Sequence, residues 1–340
     1  MSYDRGLKTV RLEMIDKPAQ AESISHPAWI HSRAREGESF EETFLRLIEE
    51  YDLDIVVGIP QNNIILGTAY EPIPGATEDS IYRFDPFNPP ADYDIDYVKN
   101  LGVHPSASID EMASHFYKEW RRTQDKIGDR ALVPAAWYHL VVHYFSTTFG
   151  WEATFYAAYT QPSLFLEVAD KFKELTIKVL TAWAQTGIKY MICHDDIAMV
   201  DRTIFPPEWY REVVYPRYNE IFRPLTNANI PFMFMSDGKI DDLVPDIVKL
   251  GPSGFFMDDM VNFDRIAGEV GDSRFLMGNV KVGTLTLGDK SDIGEEIERV
   301  YKTGKRCKNH IIHCSGGIMH NIPVENVDFY FNKVRELRNQ

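Results

Sequence analysis

Tyr190-Met191-Ile192-Cys193-His194-Asp195-Asp196 is a short apolar run that stops at a histidine and two carboxylates. Four later stretches do the same: Pro231 to Gly238 ends in Ser236-Asp237-Gly238, Gly254 to Asp259 in Asp258-Asp259, Arg274 to Lys281 in Asn279-Val280-Lys281, and His310 to Gly317 in His313-Cys314-Ser315-Gly316-Gly317. A strand buried on both faces of a parallel sheet reads as a continuous apolar run. Amphipathic stretches of helical length separate these runs, so a strand–loop–helix unit repeats. Polar residues gathered at the carboxyl ends of successive parallel strands are where a (β/α)8 barrel keeps its active site. The expected fold is therefore an α/β TIM barrel, and the expected class is an enzyme with an acidic mouth. An open doubly wound sheet is the rival, but no GxGxxG or GxxxxGK[ST] loop follows any strand.

Working outward, Pro162 to Thr186 reads as one long helix with Pro162 in its first turn and Gly187 at its end. Pro206 to Leu225, Ile240 to Leu250, Ile293 to Thr303 and Glu325 to Leu337 read as the helical partners of the later strands. Upstream, Ala131 to Trp137 reads as a strand leading into Tyr138 and His139. Ser39 before Glu42 and Ser108 before Glu111 have capping-box spacing, predicting helices over Ser39 to Tyr51 and Ser108 to Ile127. His26 to His31 and Asp54 to Ile59 read as short strands after an N-terminal extension. Residues 60–108 are rich in Pro, Gly, Asn and Tyr and read as an insertion over the barrel mouth. It carries a β-hairpin from pieces such as Asn63-Ile64-Ile65-Leu66 and Ser80-Ile81-Tyr82-Arg83-Phe84. An insertion of this length is more often functional than idle. It could equally be surface decoration or a dimer contact, so a homodimer is kept open. The whole of 1–340 is read as a single barrel domain.

The bulk properties agree. A barrel of about 250 residues plus insertions accommodates 340 residues. With 44% hydrophobic and 13% aromatic residues the chain can bury a large core and still line a pocket with rings. A net charge of −15, with no basic cluster, argues against nucleic acid or an anionic membrane surface as partner. Cys193, Cys307 and Cys314 form no disulfide framework, the N-terminus lacks a signal-peptide build, and no run of about 18 apolar residues exists. A cytoplasmic location is the default expectation.

The strand ends supply the candidate chemistry. His194 beside the two carboxylates of Asp195 and Asp196 can move a proton, bind a metal or orient a hydroxyl; alternatively one Asp caps the next helix and His194 is a structural ring. Asp237 is a second candidate acid, although Ser236 or Asp237 could simply cap a helix starting near Lys239. Phe255, Phe256 and Met257 offer an aromatic and thioether wall before Asp258 and Asp259. Asn279 and Lys281 could contact substrate, or Lys281 could pair with nearby acids. His313-Cys314 contains zinc-type ligands, but no C-x-x-C or H-E-x-x-H motif accompanies them. No metal is expected; were zinc present, His194, His313 and Cys314 would be its candidates. No Gly-x-Ser-x-Gly elbow supports a serine hydrolase.

Asp195-Asp196 followed by Phe205-Pro206-Pro207-Glu208-Trp209-Tyr210-Arg211 and Pro216 resembles a segment of the uroporphyrinogen decarboxylase superfamily. Ser236-Asp237-Gly238, Gly278-Asn279-Val280 and Pro323-Val324-Glu325-Asn326-Val327 extend the likeness over most of residues 110–337. The resemblance implies a (β/α)8 barrel and one of two activities: cofactor-free decarboxylation of porphyrinogen acetates, or methyl transfer to or from a corrinoid protein. The decarboxylase pattern departs at Val280-Lys281-Val282 and at Ser315-Gly316-Gly317, and its arginine motif is echoed only by Arg33 and Arg35. A polycarboxylate would meet Asp195, Asp196, Asp237, Asp258 and Asp259, each close pair of like charges costing about 1 kcal/mol even in water. The zinc-dependent, thiol-activating methyltransferases would need ligands where this chain has Phe234, Ser236 and Gly316, unless Cys314 substitutes for the last.

What remains is demethylation of a small methylated donor, with an aryl methyl ether (O-demethylation) as the expected substrate. The methyl passes to the Co(I) corrinoid, a cobalamin-type cofactor carried by a partner corrinoid-binding protein. The expected proton donors are His194, Asp195, Asp237 and His313. The expected substrate-binding set is Trp137, Tyr138, His139, Met235, Phe255, Phe256, Met257, Asn279 and Lys281, the aromatic members suiting a flat methoxylated ring. A porphyrinogen-type decarboxylase and a non-catalytic ligand-binding barrel are the alternatives.

Overall fold

The five runs are neighbours in one parallel sheet. A computed structural model describes residues 2–60, 78–88 and 105–340. Its eight barrel strands are β1 (Ala19–Glu22), β2 (Ile55–Val56), β3 (Ala135–Trp137), β4 (Met191–His194), β5 (Phe232–Met235), β6 (Gly254–Met257), β7 (Phe275–Gly278) and β8 (Asn309–Ile312). They are ordered β2-β1-β8-β7-β6-β5-β4-β3, all pairs parallel. A parallel bridge between Ile55 and Leu132, just ahead of β3, joins the two ends of that order. The amide of Leu132 donates to Asp54 O at 2.8 Å and the amide of Val56 to Leu132 O at 3.0 Å, so the ring closes.

Alternation along the strands builds two cores. Tyr190, Ile192, Met233, Phe256, Phe275, Met277 and Ile311 pack together inside the ring. Their neighbours Met191, Cys193, Phe234, Phe255, Met257, Leu276 and Ile312 face the helices instead. Each large side chain buried in these layers contributes about 2 kcal/mol. Gly254 has a packing reason: a Cβ there would lie 2.4 Å from the Phe275 ring, which fills the interior at that level.

The capped helices, the long central helix and the last two helices expected from the sequence are present. Both capping boxes form, at Ser39–Glu42 and Ser108–Glu111, starting helices Phe40–Glu50 and Ile109–Ile127. The long helix is Pro162–Gln185, and the last two are Lys290–Gly304 and Val324–Arg338.

Four local expectations are corrected. His26 to His31 is not a strand: Pro27–Ser32 is helical, because the His26 ring accepts the Trp29 amide at 3.0 Å and Pro27 suits a first turn. Ser80 to Phe84 is not a hairpin arm, since Glu78–Tyr82 is a helix, and Phe84 packs edge-on to Phe149 at 5.1 Å. The other proposed hairpin piece, Asn63 to Leu66, lies outside the described residues. No helix starts near Lys239: the chain turns there, and the next helical residues are Val244–Ile247. Pro206 to Leu225 is broken into short pieces around a π-helical turn at Tyr210–Val214. In addition, Ala19–Glu22, with only alanines on its apolar face, forms a barrel strand that periodicity did not flag. Among the described residues no helix is long and apolar enough to cross a membrane.

Candidate functional site

The end of β4 divides by alternation. Tyr190 and Ile192 point into the barrel, so His194 does too; Met191 and Cys193 point to the helices, and Asp195 follows them. Asp195 is fully buried, and its carboxylate collects five donors. Oδ1 accepts the amides of His143 at 2.7 Å and Leu140 at 3.4 Å; Oδ2 accepts those of Val142 at 2.9 Å and Val141 at 3.0 Å and the Tyr218 hydroxyl at 2.6 Å. These amides open the helix Val142–Thr160, whose own N-cap, Val141, has no side chain able to cap it. Asp195 is thus a cap delivered from another strand, its charge favoured by the helix dipole. Burial raises its carboxyl, opposed by Tyr218 and the amides of His143 and Val142. With its lone pairs taken, Asp195 holds the loop carrying Tyr138, His139 and His143.

His194 and Asp196 form the lip of the barrel. The His194 Nε2 lies 2.8 Å from Asp196 Oδ1, and that same oxygen accepts the Asp237 amide at 3.1 Å. His143 Nδ1 is 3.4 Å from the other Asp196 oxygen. Burial opposes the His194 imidazolium, but the hydrogen bond and charge of Asp196, backed by Asp237 and Asp195, more than offset it and its pKa is raised. Burial likewise works against the Asp196 carboxylate, yet His194 and His143 hold its pKa low. Burial lowers His143 against the pull of Asp196 and Asp195, and lowers His139 well below the ordinary value with His143 and His194 adding to it.

The next loop completes the lip. Gly238 has φ of 81°, and a Cβ there would stand 2.5 Å from Met199 O, so the turn that presents Asp237 needs glycine. The Gly238 amide donates to Asp258 Oδ2 at 2.6 Å, and the Asp259 amide to Asp258 Oδ1 at 2.7 Å. Ser236 is turned inward to the fold, its Oγ accepting the Ile197 amide at 3.1 Å. Asp237 caps nothing helical; it stands exposed among other acids. Desolvation at the crowded rim, together with Asp196, Asp258 and Asp259, pushes it up to about 6, against His194. Burial and Asp258 push Asp259 up to about 6 as well, with Lys281 pulling the other way. Among the described residues the ion-pair partners of this group are His143 and His194, and no arginine is one of them.

The remaining candidates separate. Tyr138 is exposed, its ring 4.9 Å edge-on from His194, and Met235 pairs in register with His194 on the neighbouring strand. His139 is 4.7 Å from the His143 ring. Trp137, Phe255 and Met257 pack into the outer core, away from the lip, as strand alternation requires; Phe256 belongs to the interior cluster. Asn279 is buried, its Nδ2 donating to Asp258 O at 3.2 Å and Val261 O at 3.3 Å while its Oδ1 accepts Arg299 at 3.1 Å, so it ties two loops together. Lys281 is exposed, and its amide donates to Glu296 at 3.1 Å.

His313 lies buried in the interior wall, edge-on to Phe256 at 5.6 Å, and burial lowers it to about 3, where it holds no proton at neutral pH. Cys314 turns to the opposite face of the strand, beside Glu22, and burial raises its thiol well above the ordinary value. His194, His313 and Cys314 are therefore not brought together as a zinc set: adjacent residues on β8's continuation cannot share one face. The ligand-type atoms that do converge are those of His194, Asp196 and Asp237, all within 4.8 Å of one another. His143 is the residue that the sequence reading missed, and Asp196, named there beside His194 and Asp195, is the carboxylate that His194 engages. The signals were present in the His139/His143 pair, four apart at a helix start, and in the i, i+2 relation of His194 to Asp196.

Residues 111–337 match the model of the family described as uroporphyrinogen decarboxylase (URO-D). Curated relatives include uroporphyrinogen decarboxylase of Carboxydothermus hydrogenoformans, 27% identical over 52% of this chain and 49% of that protein, and the chloroplastic uroporphyrinogen decarboxylase 2 of Arabidopsis thaliana, 26% identical over 53% and 45%. The chain thus aligns with about half the length of the curated relatives it matches. Among solved structures, a methyltransferase from Methanosarcina mazei superposes with a TM-score of 0.67 at 15% identity, covering 98% of each chain, which establishes the shared fold.

Proposed function

The chain belongs to the uroporphyrinogen decarboxylase family, and from that premise we propose that it is a methyltransferase. It would move the methyl group of a small methylated donor, an aryl methyl ether above all, to the corrinoid of a partner protein. The observation that carries this reading is the lip itself: Asp196, Asp237, Asp258 and Asp259 stand together with no arginine partner among the described residues, and desolvation together with the neighbouring carboxylates lifts Asp237 to about 6. A porphyrinogen presents carboxylates, and this lip disfavours them. A neutral ether pays no such penalty.

The Co(I) corrinoid of the partner protein would supply the attacking electron pair. The methyl–oxygen bond breaks, and the oxygen must leave with less negative charge than a bare alkoxide or phenoxide. His194, whose pKa the hydrogen bond and charge of Asp196 raise against burial, would give that oxygen its proton, with Tyr138 and Met235 beside it for a flat ring. Asp195 acts through position: it fixes the loop bearing Tyr138, His139 and His143, and so replaces the earlier expectation of a direct proton donor. His313 leaves the proton-donor set for a different reason: burial lowers it to about 3, so it carries no proton to give at neutral pH.

The test mixes enzyme, reduced corrinoid protein and a panel of methoxylated arenes without oxygen. Growth of the methylcobalamin absorbance with at least one ether, lost in His194→Ala, is the expected result. Absence of methylation across the panel, or release of CO2 from uroporphyrinogen, would overturn the reading in favour of decarboxylation.

A further inference from the structure

We infer that His194, Asp196 and Asp237 form a binding site for one divalent transition-metal cation, zinc or a like ion, with an open position toward solvent. Three features converge. The first is the donor set: one imidazole and two carboxylates are the N/O ligands that borderline divalent ions take, and three protein ligands with a vacant fourth position is the pattern of catalytic rather than structural zinc.

The second is geometry. A tetrahedral ion with bonds of about 2.0–2.1 Å spaces its ligand atoms about 3.3 Å apart. Here His194 Nε2 and Asp196 Oδ1 are a hydrogen-bonded pair 2.8 Å apart, whose shared proton a cation would replace, and all three ligand atoms lie within 4.8 Å of one another. Asp237 is the member that must close in, and its side chain is the exposed one. His194 and Asp196 are held: the former is buried at a strand end, the latter bonded to the Asp237 amide at 3.1 Å with His143 3.4 Å from its second oxygen. That oxygen contact is a supporting partner of the kind that orients a ligating carboxylate.

The third is the surrounding field. Asp258 and Asp259 stand behind Asp237, and Lys281 acts on the far side, at Asp259. The lip holds excess negative charge that a dication neutralises. The trio is also distinct from the strand positions Phe234, Ser236 and Gly316, where the sequence lacks the ligands that a thiol-activating zinc site would need. An oxygen of the methyl donor can fill the open position; with the cation bound, a Lewis acid at the leaving group then takes the place of the His194 proton, which coordination displaces. That consequence rests on the proposed function; cation binding does not.

The experiment strips the full-length protein with a chelator, then titrates it with Zn(II) by calorimetry and with Co(II) by visible absorbance. One cation per chain is expected, with Co(II) ligand-field bands of low-symmetry N/O coordination and no thiolate charge-transfer band. Asp237→Asn and His194→Gln should each weaken binding at least tenfold, and Cys314→Ser should leave both affinity and spectrum unchanged. Circular dichroism confirms that the variants fold, and Asp237, being exposed, is the substitution least able to disturb the fold. Failure of the stripped protein to bind one equivalent, or unchanged binding in Asp237→Asn, overturns the site. Stoichiometric binding without any ether demethylation overturns the proposed function and leaves the site standing; demethylation at full rate by stripped protein overturns the Lewis-acid role alone.

Discussion

Replacing Asp195 by Asn removes one acceptor oxygen from a group that now serves five donors. In the best orientation the Asn oxygen takes the Oδ2 position and keeps Val141, Val142 and Tyr218. Its amide nitrogen then faces the amides of His143, 2.7 Å away, and Leu140, 3.4 Å away, donor against donor in a fully buried place. Each buried donor left without an acceptor costs about 1–3 kcal/mol. The expected destabilisation is therefore about 2–6 kcal/mol, with lost charge at the N-terminus of the helix Val142–Thr160 contributing about 0.5–1 kcal/mol within that range. Tyr218→Phe removes one hydroxyl donor and should cost about 1–2 kcal/mol. Urea unfolding followed by far-UV circular dichroism gives both values, and the double variant should fall short of their sum because the two groups share one bond. Stability of Asp195→Asn within about 0.5 kcal/mol of the parent would refute the capping role and return Asp195 to the list of proton donors.

Two further outcomes test other parts of the fold. Glu22, on β1, is fully buried against Tyr330, Gln20 and the Cys314 amide, and burial raises it from 4.5 to about 8. The folded chain thus keeps a proton that the unfolded chain releases above 4.5, so this contribution is complete below that pH and is lost as pH rises toward 8. The parent should lose about 2.5 kcal/mol between pH 5 and 7 relative to Glu22→Gln, and parallel pH–stability curves for the two proteins would contradict the assignment. Gly238→Ala should destabilise by about 2 kcal/mol or more, read as a fall in Tm, because it combines a left-handed φ with a Cβ 2.5 Å from Met199 O; an unchanged Tm would show that the turn relaxes freely.

Much of the barrel is legible in single stretches of chain. Runs such as Phe232-Met233-Phe234-Met235 are long enough and apolar enough to declare a buried strand without reference to anything else. Ser39 and Ser108 announce helix starts because a capping box is a local event within four residues. His26 to His31 misled for the opposite reason: its apolar pattern fits a strand, but Pro27 and the His26 ring closing on the Trp29 amide decide the backbone. Ala19-Gln20-Ala21-Glu22 carries no strand signal, since its polar side chains are satisfied by Tyr330 and Arg338, three hundred residues further on.

The sequence by itself determined that polar residues follow apolar strands, and hence that the chemistry collects at one end of a parallel barrel. Even the opposite fates of His194 and Asp195 follow from the two-residue period of a strand. What the tertiary structure alone decided is which of those residues meet. Asp195 spends its charge on amides 52–55 positions away, Cys314 turns from His313 toward Glu22, and Asp237 meets Asp196 because β4 and β5 are neighbours in the ring. Hydrogen bonds and charges act over a few ångströms in space whatever the separation along the chain, so the grouping of His194, Asp196 and Asp237 is a property of the closed sheet rather than of any one segment.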